Sequence, residues 1–363
     1  MKIITIILTL LGSLIFLPGQ TPAGKITVQD VTGRTITVPH DPDRIICLAP
    51  GTLRLIVYLQ AQDRVVAVEN MEKINPRGRP YWIASPDLHD LPIAGPGGPA
   101  SINQKPNMEQ LISLDPDVIF ISYMDPALAD EVQKVLGIPI VVLGYGPFAT
   151  FDETVFESLL LAGKILNRQE RAGEVVGYIK AFMNDLRQRA ASSEILQSPG
   201  VYIGGIGYRG SQGLESTDQD YPPFEWLQAR NLAGEIQALE RSHIYTNLEN
   251  LLKIDPEIIF IDGGGLRLAA EAYHKKPEIY NGLRAFREEK VHVLHPYNWY
   301  LTNIDTALIG GYAIGRIIYP DSFDDLDIRE KADEIYEFLV GKPVHAEMEK
   351  EYGKLGEMPD FLR

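Results

Sequence analysis

The stretch Met108-Glu-Gln-Leu-Ile-Ser-Leu-Asp-Pro-Asp-Val-Ile-Phe-Ile-Ser122 decides the fold, because it returns as Leu248-Glu-Asn-Leu-Leu-Lys-Ile-Asp-Pro-Glu-Ile-Ile-Phe-Ile-Asp262. The two copies lie 140 residues apart (248 − 108) and match position for position over fifteen positions. Each follows an asparagine, Asn107 or Asn247, suited to capping a helix. A short amphipathic turn comes next, then Asp-Pro, then a β-branched apolar run. Proline disfavours helix in the residue before it, so Asp115 and Asp255 should end the helices, and Pro116 and Pro256 should open the strands. A wholly apolar strand fed by a helix is a buried parallel strand. The runs Ile140-Val-Val-Leu143 and Val291-His-Val-Leu294 lie roughly 20–30 residues beyond each copy, the interval of a βαβ unit. The fold class is therefore α/β: two lobes with parallel-rich βα sheets, a long helix between them and a ligand cleft where they meet.

A chain of 363 residues has material for two such domains and two cores. Its net charge of −15, with no basic patch, argues against nucleic acid as a partner. Behind Met1-Lys2 comes an apolar run over residues 3–17, then Pro18-Gly-Gln-Thr-Pro-Ala23, with small Thr21 and Ala23 where signal peptidase cuts. Residues 1–23 read as a secretory signal, too short for a comfortable membrane span, so the mature chain is expected outside the cytoplasm and soluble. No cysteine lies near the cleavage region, so no lipid anchor is expected. The one cysteine, Cys47, sits inside the apolar run Arg44-Ile-Ile-Cys-Leu48 and reads as a small buried hydrophobe.

The first lobe is assigned to residues 24–150. It opens with alternation over residues 25–38 around Thr32-Gly33, an antiparallel hairpin, followed by buried strands at 44–48 and 65–68. Residues 70–106 are rich in Pro and Gly, including Ala94-Gly-Pro-Gly-Gly-Pro-Ala-Ser101, and read as a long loop with a functional role or none of its own structure. Apolar residues at three- and four-residue spacing over 152–193 predict one or two helices bracing both lobes, so the connector is placed at 151–196. The second lobe, 197–363, begins with a strand at 198–204 and ends in helices near 305–318 and 328–339 that should cap it.

Pro42-Asp-Arg-Ile-Ile46, Ala61-Gln-Asp-Arg-Val-Val66, the Asp-Pro-Asp-Val-Ile-Phe run, the central helix and the second lobe of the same plan together resemble the substrate-binding proteins of ABC importers for iron-siderophores, haem and vitamin B12. The resemblance covers essentially the whole mature chain. It implies two α/β lobes on a rigid backbone helix, a ligand in the cleft, and delivery to a dimeric permease with its ATPase subunits. It also implies that Glu109 and Glu249, at the second position of each repeat copy, form salt bridges to permease arginines. Many members carry Thr-Glu in the helix after the first strand, where this chain has Leu53-Arg54.

Ligand sites of α/β sheets collect at strand carboxyl ends. The residues so placed and suited to an anionic chelate are Arg54, Tyr123, Tyr145, Tyr208, Arg209, Arg267, Tyr297 and Tyr300. Aromatic rings bury large area at low entropic cost, and guanidinium forks bind oxyanions in pairs. A ferric siderophore is the leading expectation, with cobalamin, haem and molybdate or tungstate as alternatives. Iron would arrive wrapped, so no protein residue is expected to ligate metal and no cofactor is expected. An enzyme is the competing class. Gly210-Ser-Gln-Gly213 lacks nucleophile-elbow spacing and Gly263-Gly-Gly265 lacks the Lys-Ser/Thr of a P-loop. Metallocluster enzymes of this architecture need cysteines, and only Cys47 exists. The seven histidines show no paired spacing; His295, at a strand end, is the best candidate for a bare metal ion.

Overall fold

A computed structural model describes residues 24–74, 76–147, 150–193, 198–238 and 243–363. The expected signal segment 1–23, and Phe148 at the end of one candidate loop, lie outside the described residues. The hairpin comprises β1 (Lys25–Gln29) and β2 (Thr35–Pro39), antiparallel, with Gly33 at φ +86° in the turn. Asp30 fastens that turn: its carboxylate accepts the amides of Thr32 and Arg34 and pairs with the Arg34 guanidinium.

The first lobe continues through β3 (Ile45–Leu48), α1 (Thr52–Tyr58) and β4 (Val65–Glu69). The Pro/Gly-rich stretch is more structured than expected: it contains α2 (Asn70–Ile74), α3 (Pro80–Ala84) and an edge strand, β5 (Ile93–Gly95). The first repeat copy follows as α4 (Met108–Leu114) and β6 (Val118–Ser122), then α5 (Pro126–Leu136) and β7 (Ile140–Leu143). These strands form one parallel sheet in the order β5-β4-β3-β6-β7. Both faces are covered, with Ile46, Ile119 and Val142 in one core and Ile45, Phe120 and Val141 in another, which is why the strands read as unbroken apolar runs.

The connector is two helices. α6 (Glu153–Ile165) folds back on the first lobe, and α7 (Gln169–Ala191) alone spans both. The break falls at Asn167, whose φ of +53° no helix permits. At 1.5 Å per residue, α7 is about 34 Å long.

The second lobe comprises β8 (Gly200–Gly204), β9 (Ser216–Thr217), α8 (Pro222–Trp226), β10 (Arg230–Asn231) and β11 (Ile244–Tyr245). The second repeat copy then gives α9 (Leu248–Ile254) and β12 (Ile258–Asp262). After it come α10 (Leu266–Lys275), α11 (Pro277–Tyr280), α12 (Arg284–Arg287) and β13 (Val291–Leu294). The sheet is parallel, in the order β10-β8-β12-β13.

The repeat copies share their caps. Asn107 and Asn247 accept the amides of Gln110 and Asn250, and Asp115 and Asp255 end both helices in left-handed conformation. The strands open two residues after each proline, because Asp117 and Glu257 first accept amides from the incoming neighbour strands, at Arg44 and Gly200.

The C-terminal helices are α13 (Ile304–Ile318), α14 (Ile328–Val340) and α15 (His345–Tyr352). They do more than cap the second lobe. α14 packs on α13 and also on α1 and α3 of the first lobe. Arg171 of α7 donates to Tyr58 O on one side and to Phe338 O on the other. One core joins the inner faces of both sheets, through Leu55, Ile179, Phe260, Leu308 and Ile335.

Candidate functional site

The strand carboxyl ends of the two lobes meet at a cavity of about 140 Å³. The first lobe supplies Pro50, Met71, Arg79 and Ile102; the second supplies Gly207, Arg209, Asn298, Trp299 and Tyr300. Arg79 precedes Pro80 and is accordingly extended, at φ −123° and ψ 91°. Its side chain is 1% exposed. One guanidinium nitrogen donates to Glu72 Oε2 at 2.6 Å and to Met71 O at 3.0 Å. Glu72 is held in turn by the Tyr81 hydroxyl at 2.9 Å. The Arg79 guanidinium lies 4.8 Å from the Tyr300 ring centroid, and its Nε has no hydrogen-bond partner. Arg79 lines the cavity, and a guanidinium at a cavity wall favours an anionic occupant.

Tyr300 reaches across from the second lobe. Its hydroxyl donates to the buried carboxylate of Glu69 and accepts the amide of Gly98 at 3.0 Å. Burial pushes the Glu69 carboxyl up to about 7, against the Tyr300 hydroxyl and Ala49 amide that favour the carboxylate. Glu72 offsets the charge of Arg79, while Arg209 is exposed and has no ion pair among the described residues. Among the described residues, the cavity lining itself holds two arginines, Arg79 and Arg209, and no carboxylate.

Of the eight cleft residues expected from the sequence, Arg209 and Tyr300 line this cavity. Arg54 does not present itself to it. The side chain is fully buried and donates to the carbonyls of Thr302 (2.7 Å), Trp299 (3.2 Å), Tyr300 (3.3 Å) and Leu301 (3.2 Å), and to the Tyr145 hydroxyl (3.3 Å). The helix α1 dips into the seam between the lobes, so its arginine is spent on the backbone of the crossing loop. Tyr145 is buried with its hydroxyl on Gly51 O, and Tyr297 is buried edge-on to Tyr221. Tyr123 is half-buried at φ +54°. Tyr208 stacks on His243, with ring centroids 3.8 Å apart. Arg267 is exposed, pairs with Glu271 one turn along α10, and lines a separate hollow of about 780 Å³ against residues 349–363. Trp299 borders both spaces. Glu109 and Glu249 are exposed in the first turns of α4 and α9, unpaired among the described residues.

Arg79 and Glu72 were missed because the stretch that contains them reads as loop. The signal was an arginine before Pro-Tyr-Trp with a glutamate seven residues upstream. Ser216 and His243 resemble a catalytic pair, with Oγ and Nε2 3.0 Å apart, but the hydroxyl proton goes to Ile206 O and both groups are buried. His295 is buried too, pushed down to about 3 by burial and then by His345. Among the described residues no group of three side chains is placed to hold a metal ion.

Two α/β lobes closed on an interlobe cleft, one helix spanning both, define a two-lobed binding protein. A family model for periplasmic binding proteins matches residues 45–297, and the chain belongs to that family. It is similar to the molybdate-binding protein MolA of Haemophilus influenzae, 21% identical over 331 residues, covering 85% of this chain and 89% of the relative. The Fe(3+)-citrate-binding protein YfmC of Bacillus subtilis is 25% identical over 198 residues, 54% of this chain and 58% of its own. Among solved structures, a periplasmic solute binding protein from Veillonella parvula superposes with a TM-score of 0.72 at 21% identity, covering 91% of this chain and 97% of that one. MolA bound to molybdate gives 0.70 at 19% identity, covering 88% and 98%. The chain is thus a substrate-binding component of an ABC importer and works outside the cytoplasm. Among the described residues no helix is long and apolar enough to cross a membrane.

Proposed function

We propose that the protein captures a small oxyanion of the molybdate or tungstate class in the interlobe cleft and hands it to a dimeric permease. The observation that carries this reading is a pair of cations: buried Arg79 from one lobe and exposed Arg209 from the other border a single cavity of about 140 Å³. A tetrahedral oxyanion suits a space of that size, whereas ligands of drug size occupy roughly 300–1,000 Å³. The likeness to a molybdate-binding protein over most of both chains supports it. The ferric siderophore expected from the sequence is the second reading, and one observation favours it: the hollow of about 780 Å³ beside Trp299, flanked by Arg77 and Arg267, would house a bulky anionic chelate. Docking falls to Glu109 and Glu249, which the internal repeat presents in equivalent places on the two lobes.

Titration of the full chain with molybdate, tungstate, sulfate and ferric citrate, followed by calorimetry and tryptophan fluorescence, separates the readings. The small-anion reading expects stoichiometric binding of molybdate or tungstate. Arg209→Ala should weaken it by about 1.5–3 kcal/mol, the range for a charge-assisted hydrogen bond, and Arg267→Ala should leave it unchanged. Tight binding of the ferric chelate alone, weakened by Arg267→Ala, would overturn the small-anion reading in favour of the second.

A further inference from the structure

Six large hydrophobic side chains stand exposed among the described residues: Ile74, Ile112, Val135, Leu160, Tyr245 and Leu252. Ile112 and Leu252 are separated by 140 residues (252 − 112), the offset of the internal repeat. Each lies three residues after Glu109 or Glu249, hence beside it on the same helix face. The remaining four have no such counterpart: the positions 140 residues from Ile74, Val135, Leu160 and Tyr245 hold Leu214, Lys275, Tyr300 and Lys105.

The cores do not require these two aliphatics. The buried anchors of the two helices are Leu111 and Leu251, both with no exposure, while Ile112 is 53% and Leu252 37% exposed. Isolated exposed aliphatics are ordinary; their repetition beside an acid is the informative feature. The neighbouring exposed position differs between the copies, Ser113 against Lys253, and so does the second turn position, Gln110 against Asn250. Glutamate and aliphatic are kept together while the side chains around them diverge.

We propose that Ile112 and Leu252, each one turn from the docking glutamate of its own helix, form two equivalent apolar contacts, each fitting an apolar pocket on one half of a two-fold permease. The proposal rests on the reading of this chain as the binding component of an importer. A two-fold partner offers the same surface twice, and a binding protein that carries one patch per lobe can engage both copies at once. The acid steers and orients, through an interaction that salt screens. The aliphatic adds a salt-insensitive contact by removing its exposed surface from water.

The test is binding of the full-length protein to its permease, reconstituted with the ATPase subunits in vesicles, measured at low and high salt. The double variant Ile112→Ser/Leu252→Ser should weaken binding about tenfold or more at both salt concentrations, as burial of an aliphatic side chain implies. Its thermal midpoint and its molybdate titration should match wild type. The single variants should lose comparable amounts. Glu109→Ala/Glu249→Ala should lose most at low salt. Wild-type affinity in the aliphatic double variant, with loss in the glutamate pair, overturns the apolar contact and leaves docking by the acids in place. Wild-type affinity in both double variants overturns the docking reading itself. A loss confined to one single variant overturns the equivalence of the patches.

Discussion

The last residue of the repeat strand is Ser122 in the first lobe and Asp262 in the second, and both are buried at the carboxyl end of their sheet. Each fastens the loop leaving the neighbouring strand. Ser122 Oγ donates to Pro50 O at 2.7 Å, tying down the turn after β3. The Asp262 carboxylate accepts the Tyr297 amide at 2.7 Å and the Gly264 amide at 2.8 Å, tying down the loop after β13. One topological position thus takes opposite polarity in the two lobes, because one loop offers it a carbonyl and the other offers amides. The difference marks where the repeat ends and the site begins. The first lobe's fastening is neutral, and the second lobe's titrates.

The largest expected effect tests whether that second loop belongs to both lobes. Arg54 is the first lobe's grip on it, through carbonyls of residues 299–302. Arg54→Met leaves those buried acceptors unpaired, and removal of one partner from a buried charged network costs about 3–5 kcal/mol. Chemical denaturation at neutral pH measures it. A loss under about 1 kcal/mol would show that the shared core holds the lobes together without this grip.

Asp262 comes next. An amide in its place keeps one acceptor but turns an N–H donor toward an N–H donor, so Asp262→Asn should cost about 1.5–3 kcal/mol at pH 5. Burial pushes the Asp262 carboxyl up to about 7 from 3.8. Below about pH 4 both folded and unfolded chains hold the proton. Between about 4 and 7 only the folded chain holds it, so this group's contribution falls as pH rises and is gone above about 7. Glu69 and Asp218 titrate in the same sense, while His243, pushed down to about 4 by burial, works in the opposite one. The observable is therefore the difference between wild type and Asp262→Asn, which should shrink as pH rises from 4 to 7. A constant difference would mean that Asp262 is ionised in the folded protein throughout.

How much of this could be read from the chain follows the same boundary. The caps Asn107 and Asn247 and the helix ends at Asp115 and Asp255 depend on local propensity and stand where the sequence places them, while the apolar strands open two residues after the prolines expected to begin them. The break at Asn167 was invisible because the apolar spacing runs on through it. β5 was hidden by brevity among prolines and glycines. The site resisted most. Arg54 and Arg79 are both buried with one unpaired Nε, yet the rest of the Arg54 guanidinium is consumed by backbone carbonyls of the crossing loop, whereas Arg79 pairs with Glu72 and borders the cleft cavity. Backbone carbonyls leave no trace in residue identity, so only the packing of α1 against the crossing loop distinguishes the two.

The smallest effect sharpens the comparison from the neutral side. Ser122→Ala removes one hydroxyl donor and adds no charge, and the strand around it, Val118–Ser122, is wholly buried, so little repacking accompanies the loss. A neutral hydrogen bond of this kind is worth about 0.5–1.5 kcal/mol net. Unlike Asp262, a serine has no proton to exchange over the accessible range, so the deficit should be the same at pH 4 and pH 8. The turn it holds carries Pro50 at the edge of the cleft, and Gly51, which is at φ +81° with Leu301 and Tyr145 close enough to exclude a Cβ. Those contacts keep the turn in place without the hydroxyl, and molybdate affinity should change less than about threefold, under 1 kcal/mol. Denaturation at the two pH values, paired with calorimetric titration, measures both quantities. A deficit as large and as pH-dependent as that of Asp262→Asn would show that the lobes are fastened alike, and that the titrating group which matters lies nearer to Glu69.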